Sequence, residues 1–306
     1  MLTFAFCTYN RADRLEKLVT AMRTQLCPIP FEILAVNNNS SDNTLDILEH
    51  LSQQPGVKLR FVTESEQGIV PARNRAITES FDSDILVFID DDEIPQPGLL
   101  CAAYDAIVNE GAQCVGGHID VDFMPYDRPS WLDTEIEGFL GRLNHGTTAF
   151  WILDDSTPIW SGNVAYDMRL FREHPSLKFD IRYDRKGIGV GGGEDAIMFR
   201  TLLTLNARIR YRPDMAIWHM VEPWKLKRRY FIKLHYRAGI HSGKYELLDY
   251  SHRIFGMPPF LLAQFFRQSV KALIMQISMR SGALRQCMNA AYSLGALLGY
   301  RGRDRE

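Results

Sequence analysis

Residues 82–95 read DSDILVFIDDDEIP. Five apolar residues, Ile85 to Ile89, run straight into Asp90, Asp91 and Asp92, and Glu93 follows. An uninterrupted apolar run of this length suits a strand buried on both faces, as in a parallel sheet covered by helices. In such folds ligands bind just outside the carboxyl ends of the strands. The acidic tip sits at that end.

Three similar units precede it. Strands are predicted over 2–8 (LTFAFCT), 31–37 (FEILAVN) and 57–63 (VKLRFVT), and the acid-tipped run makes a fourth over 84–90. A helical pattern follows each. In 11–26 the apolar residues Leu15, Leu18, Val19, Met22 and Leu26 recur at helical spacing. Residues 41–53 start with Ser41 or Asp42 as a plausible N-cap, 71–80 with Pro71 in the first turn, and 98–111 complete the fourth unit. Four alternations of strand and helix predict an α/β fold with a mostly parallel sheet flanked by helices. Beyond about residue 115 the alternation breaks. A strand over 114–121, an irregular acidic stretch over 122–158 and a β-rich stretch over 157–171 are followed by a glycine-rich loop that runs into a helix. The last strand, 208–220, leads to His219.

The length of 306 residues, 46% of them hydrophobic, fits one large domain or one domain with an appendage. The net charge of −2 conceals an imbalance. Residues 1–222 carry −13 and residues 223–306 carry +11. A basic tail of that size points to an anionic partner, membrane or nucleic acid. The five cysteines form no C-x-x-C pair and their number is odd, which suggests reduced thiols and the cytosol. The first residues, MLTFAFCTYNR, lack the basic start of a secretory signal, and no stretch has the 18 or so apolar residues of a membrane span.

Hard divalent cations such as Mg²⁺ and Mn²⁺ take oxygen ligands, commonly one or two carboxylates with substrate phosphates. Asp90 and Asp92, two apart, would point to one side of an extended segment, and at a turn all three aspartates could converge. The plainer alternative is a solvated strand end with helix-capping acids.

Five stretches together bring a resemblance into view: FCTYNR at the first strand end, VNNNSSDNT at the second, GIVPARNRAI after the third, FIDDDEIP at the fourth, and GGGEDAIMFRTL downstream. In this order and spacing they resemble a family 2 glycosyltransferase of the GT-A fold, over residues 4 to about 220. The resemblance implies a Rossmann-like catalytic domain over 1–222, with 223–306 a basic, amphipathic helical extension. It implies inverting transfer of a sugar from a nucleotide-diphosphate donor to an acceptor hydroxyl. FIDDD is similar to the family's D-x-D motif, so Asp90 and Asp92 would hold a divalent metal on the diphosphate, with Asp91 beside them on the donor side. Thr8, Tyr9 and Asn10 would contact the nucleotide, Tyr9 by stacking on the base. The family usually has an acidic residue where this chain has Asn37 or Asn38, which leaves the base open although uracil is implied. Arg73 resembles a nucleotide- or diphosphate-contacting arginine. In GGGEDA the Asp of the E-D pair would be the general base, hence Asp195, with Glu194 orienting the acceptor or raising its neighbour's basicity. Gly191, Gly192 and Gly193 suggest close approach of backbone to a ligand. WSGNVAY resembles the donor-sugar stretch, giving Gly162 and Asn163. His219 is a candidate third metal ligand, against the plainer reading of a packed histidine.

The tail is harder to assign. PWKLKRRYFIKLHYRAGIHSGK mixes basic and aromatic residues, which suits nucleic acid or an anionic leaflet. In 258–280 Leu261, Leu262, Phe265, Phe266, Val270, Leu273, Ile274 and Ile277 form a broad helical stripe flanked by Arg267, Lys271 and Arg280. That fits an interfacial amphipathic helix, a helix packed on the domain, or a dimer contact. A lipid-linked saccharide acceptor at the inner face of the cytoplasmic membrane, in surface polysaccharide or glycolipid assembly, would account for it. Nucleic acid is the weaker reading. Two rival functions stand beside transfer: a nucleotidyltransferase making sugar nucleotides, which would want a glycine-rich phosphate loop where CTYNRAD has none, and a non-catalytic nucleotide- or carbohydrate-binding protein.

Overall fold

A computed structural model of the chain describes residues 1–184 and 193–303. In chain order the elements are β1 (Leu2–Thr8), α1 (Ala12–Arg23), β2 (Phe31–Asn37), α2 (Thr44–Ser52), β3 (Leu59–Thr63), α3 (Ile69–Glu79), β4 (Ile85–Ile89), β5 (Glu93–Pro95), α4 (Leu99–Tyr104), β6 (Cys114–Asp122), β7 (Phe150–Ile152), β8 (Asn163–Asp167), α5 (Arg169–Glu173), α6 (Glu194–Thr204), β9 (Ile209–Met220), α7 (Arg228–His241), α8 (Pro259–Ile277) and α9 (Ala283–Gly302). They form two compact units. The larger comprises Met1–Asp127 and, of the described residues beyond it, 140–184 and 193–221. The smaller comprises Arg128–Phe139 and 222–303.

The larger unit is built on one mixed sheet in the order β3-β2-β1-β4-β8-β6-β9-β5, with β7 also paired to β9. β3, β2, β1 and β4 are parallel, as the four alternations predict. β8 turns the sheet antiparallel beside β4. Every residue of β1, β4 and β8 is buried. That is why β4 reads as an unbroken apolar run and β1 as a nearly apolar one, broken inside only at Thr3, whose hydroxyl is hydrogen-bonded to that of Ser83 (2.7 Å). Leu15, Leu18, Val19 and Met22 of α1 are fully buried. Leu26 departs from the predicted stripe: α1 ends at Arg23, and Leu26 lies beyond it, exposed. α2 begins one or two residues later than its Ser and Asp suggest. Asn43 occupies the cap position, and Asp42 Oδ1 instead accepts from Thr44 N (3.0 Å). The fourth helix is interrupted, with a π turn over Asp105–Asn109 following α4.

The smaller unit is helical. α7 and α9 cross on glycines. A Cβ on Gly239 would meet Tyr292 O at 2.1 Å, and one on Gly295 would meet Tyr236 O at 2.1 Å. Gly299 meets Ile240 O, and Gly243, just past the end of α7, meets Ala296 O, each at 2.2 Å. Only hydrogen fits between backbones this close. α8 packs on α9. The structure splits the predicted α8 stripe: Leu261 is buried, and Leu262 and Phe265 pack beside it, whereas Phe266, Val270, Leu273, Ile274 and Ile277 stay exposed. Among the described residues no helix is long and apolar enough to cross a membrane.

Candidate active site

The parallel register sets the strand ends side by side. Thr8 pairs with Asn37, and Asn37 with Thr63. β1 pairs with β4 as Ala5 with Phe88, so the aspartates emerge beside the end of β1. β5, which the sequence reading missed, then turns back and pairs with β9, placing Glu93 opposite His219. This short strand converts three adjacent aspartates into three side chains with different partners.

Asp90 faces Arg73, whose Nη2 donates to Asp90 Oδ1 (2.9 Å). The same guanidinium donates through Nη1 to Asp195 Oδ1 (2.7 Å) and Glu194 Oε1 (3.0 Å). Arg73 is buried, and burial alone would favour its neutral form. The Asp195, Asp90 and Glu194 carboxylates outweigh that and hold it charged. Its guanidinium also lies 5.5 Å from the centre of the Phe179 ring. Asn74, the next residue, fixes that ring's backbone by donating to Phe179 O (3.0 Å) and accepting from Phe179 N (2.8 Å). The Asn after Arg in PARNRA was the available signal for this support. Thus the tip of β4 and the first turn of α6, more than a hundred residues apart, share one buried cation.

The two acids of α6 differ. Glu194 is buried, with Oε1 on Arg73 and Oε2 accepting from Gly193 N (2.9 Å). The Asp195 side chain remains 28% exposed. Asp195 can therefore meet an incoming hydroxyl, while Glu194 anchors the helix start. Gly191 and Gly192 lie outside the described residues.

Asp92 faces His219, with Oδ2 and Nε2 3.3 Å apart. His219 Nδ1 donates to Leu140 O (2.6 Å), which fixes the ring with Nε2 turned to Asp92. Gly141 lets the loop come this close, since a Cβ there would lie 2.8 Å from Nδ1. Asp91 lies near Arg11 (3.9 Å). Burial and the neighbouring Asp92 push its carboxyl up to about 7 against the lowering effect of Thr8 and Arg11. Glu93, a site residue that sequence reasoning left without a role, is buried and accepts from Asp90 N (2.6 Å) through Oε2. Burial, then Asp90 and Asp92, raise its carboxyl well above the usual range. Gly162 belongs to the same cluster, because a Cβ there would meet Glu93 Oε1 at 2.5 Å and Asp90 Oδ2 at 3.2 Å.

Other sequence candidates build the rim instead of pointing freely outward. Asn10, at φ 53°, accepts from Ser41 N (2.8 Å) and ties the loops after β1 and β2 together. Asn37 accepts from Ser40 N (3.2 Å). Asn38 donates to Glu66 O (2.7 Å) and accepts from Gly68 N (2.8 Å), bracing the start of α3. Asn163 donates to Met215 O (2.7 Å) and His118 O (3.0 Å), where the β6–β9 register shifts. Tyr9 is half-buried beside Thr8.

The donor chemistry suits a hard divalent cation: carboxylate oxygens with one imidazole whose far nitrogen is held by a carbonyl, as in ligating histidines. Among the described residues no three such side chains converge to chelate a cation alone. Asp92 and His219, side by side, are residues that could contribute to such a site.

The profile of Glycosyl transferase family 2 matches residues 3–174, more than half of the chain. The chain belongs to this family. Glycosyltransferase AglE of Haloferax volcanii is 30% identical over 116 residues, covering 38% of each chain. An uncharacterized glycosyltransferase of Bacillus subtilis, YfnE, is 34% identical over 103 residues, which cover 33% of this chain and 26% of the relative. The matches thus span well under half of these relatives' lengths. Among solved structures, mannosyltransferase PcManGT from Pyrobaculum calidifontis, in complex with GDP-Man and Mn²⁺, superposes with a TM-score of 0.61 at 16% identity, over 98% of this chain and 86% of that one. TarS 1–349 from S. aureus, in complex with UDP, superposes at 0.56 and 17% identity, over 99% and 90%. At these identities the likeness establishes the GT-A fold, and the family match alone carries the family.

Proposed function

We propose that the chain transfers a sugar from a nucleoside-diphosphate sugar to an acceptor hydroxyl with inversion, that residues 1–222 are the catalytic domain and that 223–306 are a basic helical extension. The observation that carries this reading is Arg73, one buried guanidinium within hydrogen-bond distance of both Asp90 and Asp195. Inverting transfer needs a donor-phosphate side and a base side a few ångströms apart, and Arg73 joins the two. Asp195 takes the proton of the acceptor hydroxyl as its oxygen attacks C1, while the C1–O bond to the nucleoside diphosphate breaks and the leaving group takes the electron pair. Asp92 and His219, with Asp90, would hold a divalent metal, which when bound would offset the negative charge developing on the leaving diphosphate. Thr8 and Tyr9 face the nucleotide, and Arg73 holds Asp90 and Asp195 in register.

The complexes of TarS with UDP and UDP-GlcNAc and of PcManGT with GDP-Man and Mn²⁺ support the donor class. UDP is the first choice of donor nucleotide. A saccharide or lipid-linked saccharide, in surface polysaccharide or glycolipid assembly on the cytoplasmic side, is the acceptor this reading favours. The test is thermal unfolding with UDP, GDP, CDP and ADP, each with and without Mn²⁺. A ligand at a hundredfold excess over its Kd adds about 2.7 kcal/mol of stability. A shift with UDP that requires Mn²⁺ is expected. A shift with GDP alone would overturn the choice of base, and none with any nucleotide would overturn the donor class.

A further inference from the structure

The two faces of α8 have opposite fates. Leu261 and Ala272 are buried, and Gln286 Nε2 of α9 donates to Gln268, closing the packed side. On the other side Phe266, Val270, Leu273, Ile274 and Ile277 follow one another at helical spacing in solvent, Phe266 and Ile277 being 70% and 73% exposed. Soluble surfaces scatter single apolar residues, and a contiguous stripe marks a surface with a partner. Arg267 and Lys271 run along one margin of the stripe, Arg280 lies just past its end, and all three line a groove with Phe266, Val270 and Ile274. From residue 250 to residue 303 the sequence contains seven Lys and Arg and no Asp or Glu.

We propose that this face of α8 docks on an anionic lipid bilayer, with Phe266, Leu273 and Ile277 entering the boundary between headgroups and acyl chains and the basic margin meeting lipid phosphates. An apolar stripe beside cationic side chains is the composition of a helix lying in the membrane interface. A second copy of the chain satisfies the apolar face but brings like charges together, with no acid in this stretch to pair them. A nucleic acid satisfies the charges but leaves five apolar side chains against phosphates. The bilayer satisfies both. This inference is independent of the transfer reaction, because its test reads binding alone.

The test is flotation of the full chain with vesicles of phosphatidylcholine, alone or mixed with phosphatidylglycerol, at low and high salt. Binding to the anionic vesicles that weakens with salt is expected. Near an anionic leaflet each Lys or Arg contributes about 1 kcal/mol, so the R267Q/K271Q pair should lower the partition coefficient roughly thirtyfold. F266S/I277S should abolish flotation while leaving the circular dichroism spectrum and the thermal response to nucleotide unchanged. Equal binding to both vesicle types, or binding that neither pair affects, would overturn the proposal. So would a dimer that F266S/I277S converts to monomer without any vesicle binding, or a salt-sensitive complex with nucleic acid formed in preference to vesicles.

Discussion

Arg73 is the residue on which the site turns. Breaking a buried ion pair by removing one partner leaves carboxylates uncompensated and typically costs 3–5 kcal/mol. Here Asp90 and Asp195 keep partial access to water, so Arg73→Met is expected to cost about 3 kcal/mol, at the low end of that range, read as a lower urea midpoint. Arg73→Lys should rescue little, because one ammonium cannot span three carboxylates in the fork geometry that a guanidinium provides. Asp195→Asn should lower the transfer rate about 10²- to 10⁴-fold while nucleotide binding persists, measured by turnover alongside the thermal shift. Equal turnover would remove Asp195 as the base. The acids of this site could be read from the sequence because Asp90, Asp91, Asp92, Glu194 and Asp195 interrupt otherwise apolar or glycine-rich stretches. Arg73 and His219 were legible as candidates too, but not which acids they meet. Arg73 reads as a diphosphate contact until tertiary folding buries it among three carboxylates, and Glu93 looks like a solvated acid until β5 pairs with β9.

At the scale of elements, strands buried on both faces were the most legible. β1 and β2 match their predicted bounds residue for residue, because burial makes most of their positions apolar, against the polar loops on either side. Helix ends were less so. Leu26 keeps the helical period of α1 but lies past its end, since periodicity carries no information about where hydrogen bonding stops. The crossing of α7 and α9 left a signal that went unused: Gly239 and Gly243, and Gly295 and Gly299, are each four apart. Gly239→Ala is expected to force the helices apart and destabilise the helical unit by about 1–3 kcal/mol, checked by chemical denaturation. The same substitution at Gly302, which has nothing within 4 Å, should be close to neutral.

At the scale of the molecule, acid should weaken the chain through histidines half-buried in the helical unit. Burial first, then the charge of Arg285, lowers His235 below its ordinary value near 6.5, and burial with Arg237 does the same for His241. A depressed folded value means that the unfolded chain binds protons first. The stability these residues contribute is therefore complete above about pH 6.5 and is lost as the pH falls towards their folded values. Unfolding temperatures measured from pH 7.5 down to 5 should fall, and His235→Phe should flatten the trend. A trend unchanged by that variant would move the acid sensitivity to the carboxylates. By itself the sequence determined the succession of strand and helix, the acidic strand ends and the basic tail, because these follow from local apolar periodicity and from composition. Only the tertiary structure decided which acid meets which base, which glycines meet, and which half of the α8 stripe stays bare. Those outcomes depend on pairings between residues far apart in the chain, such as Arg73 with Asp195 and Asp92 with His219, and no local pattern encodes them.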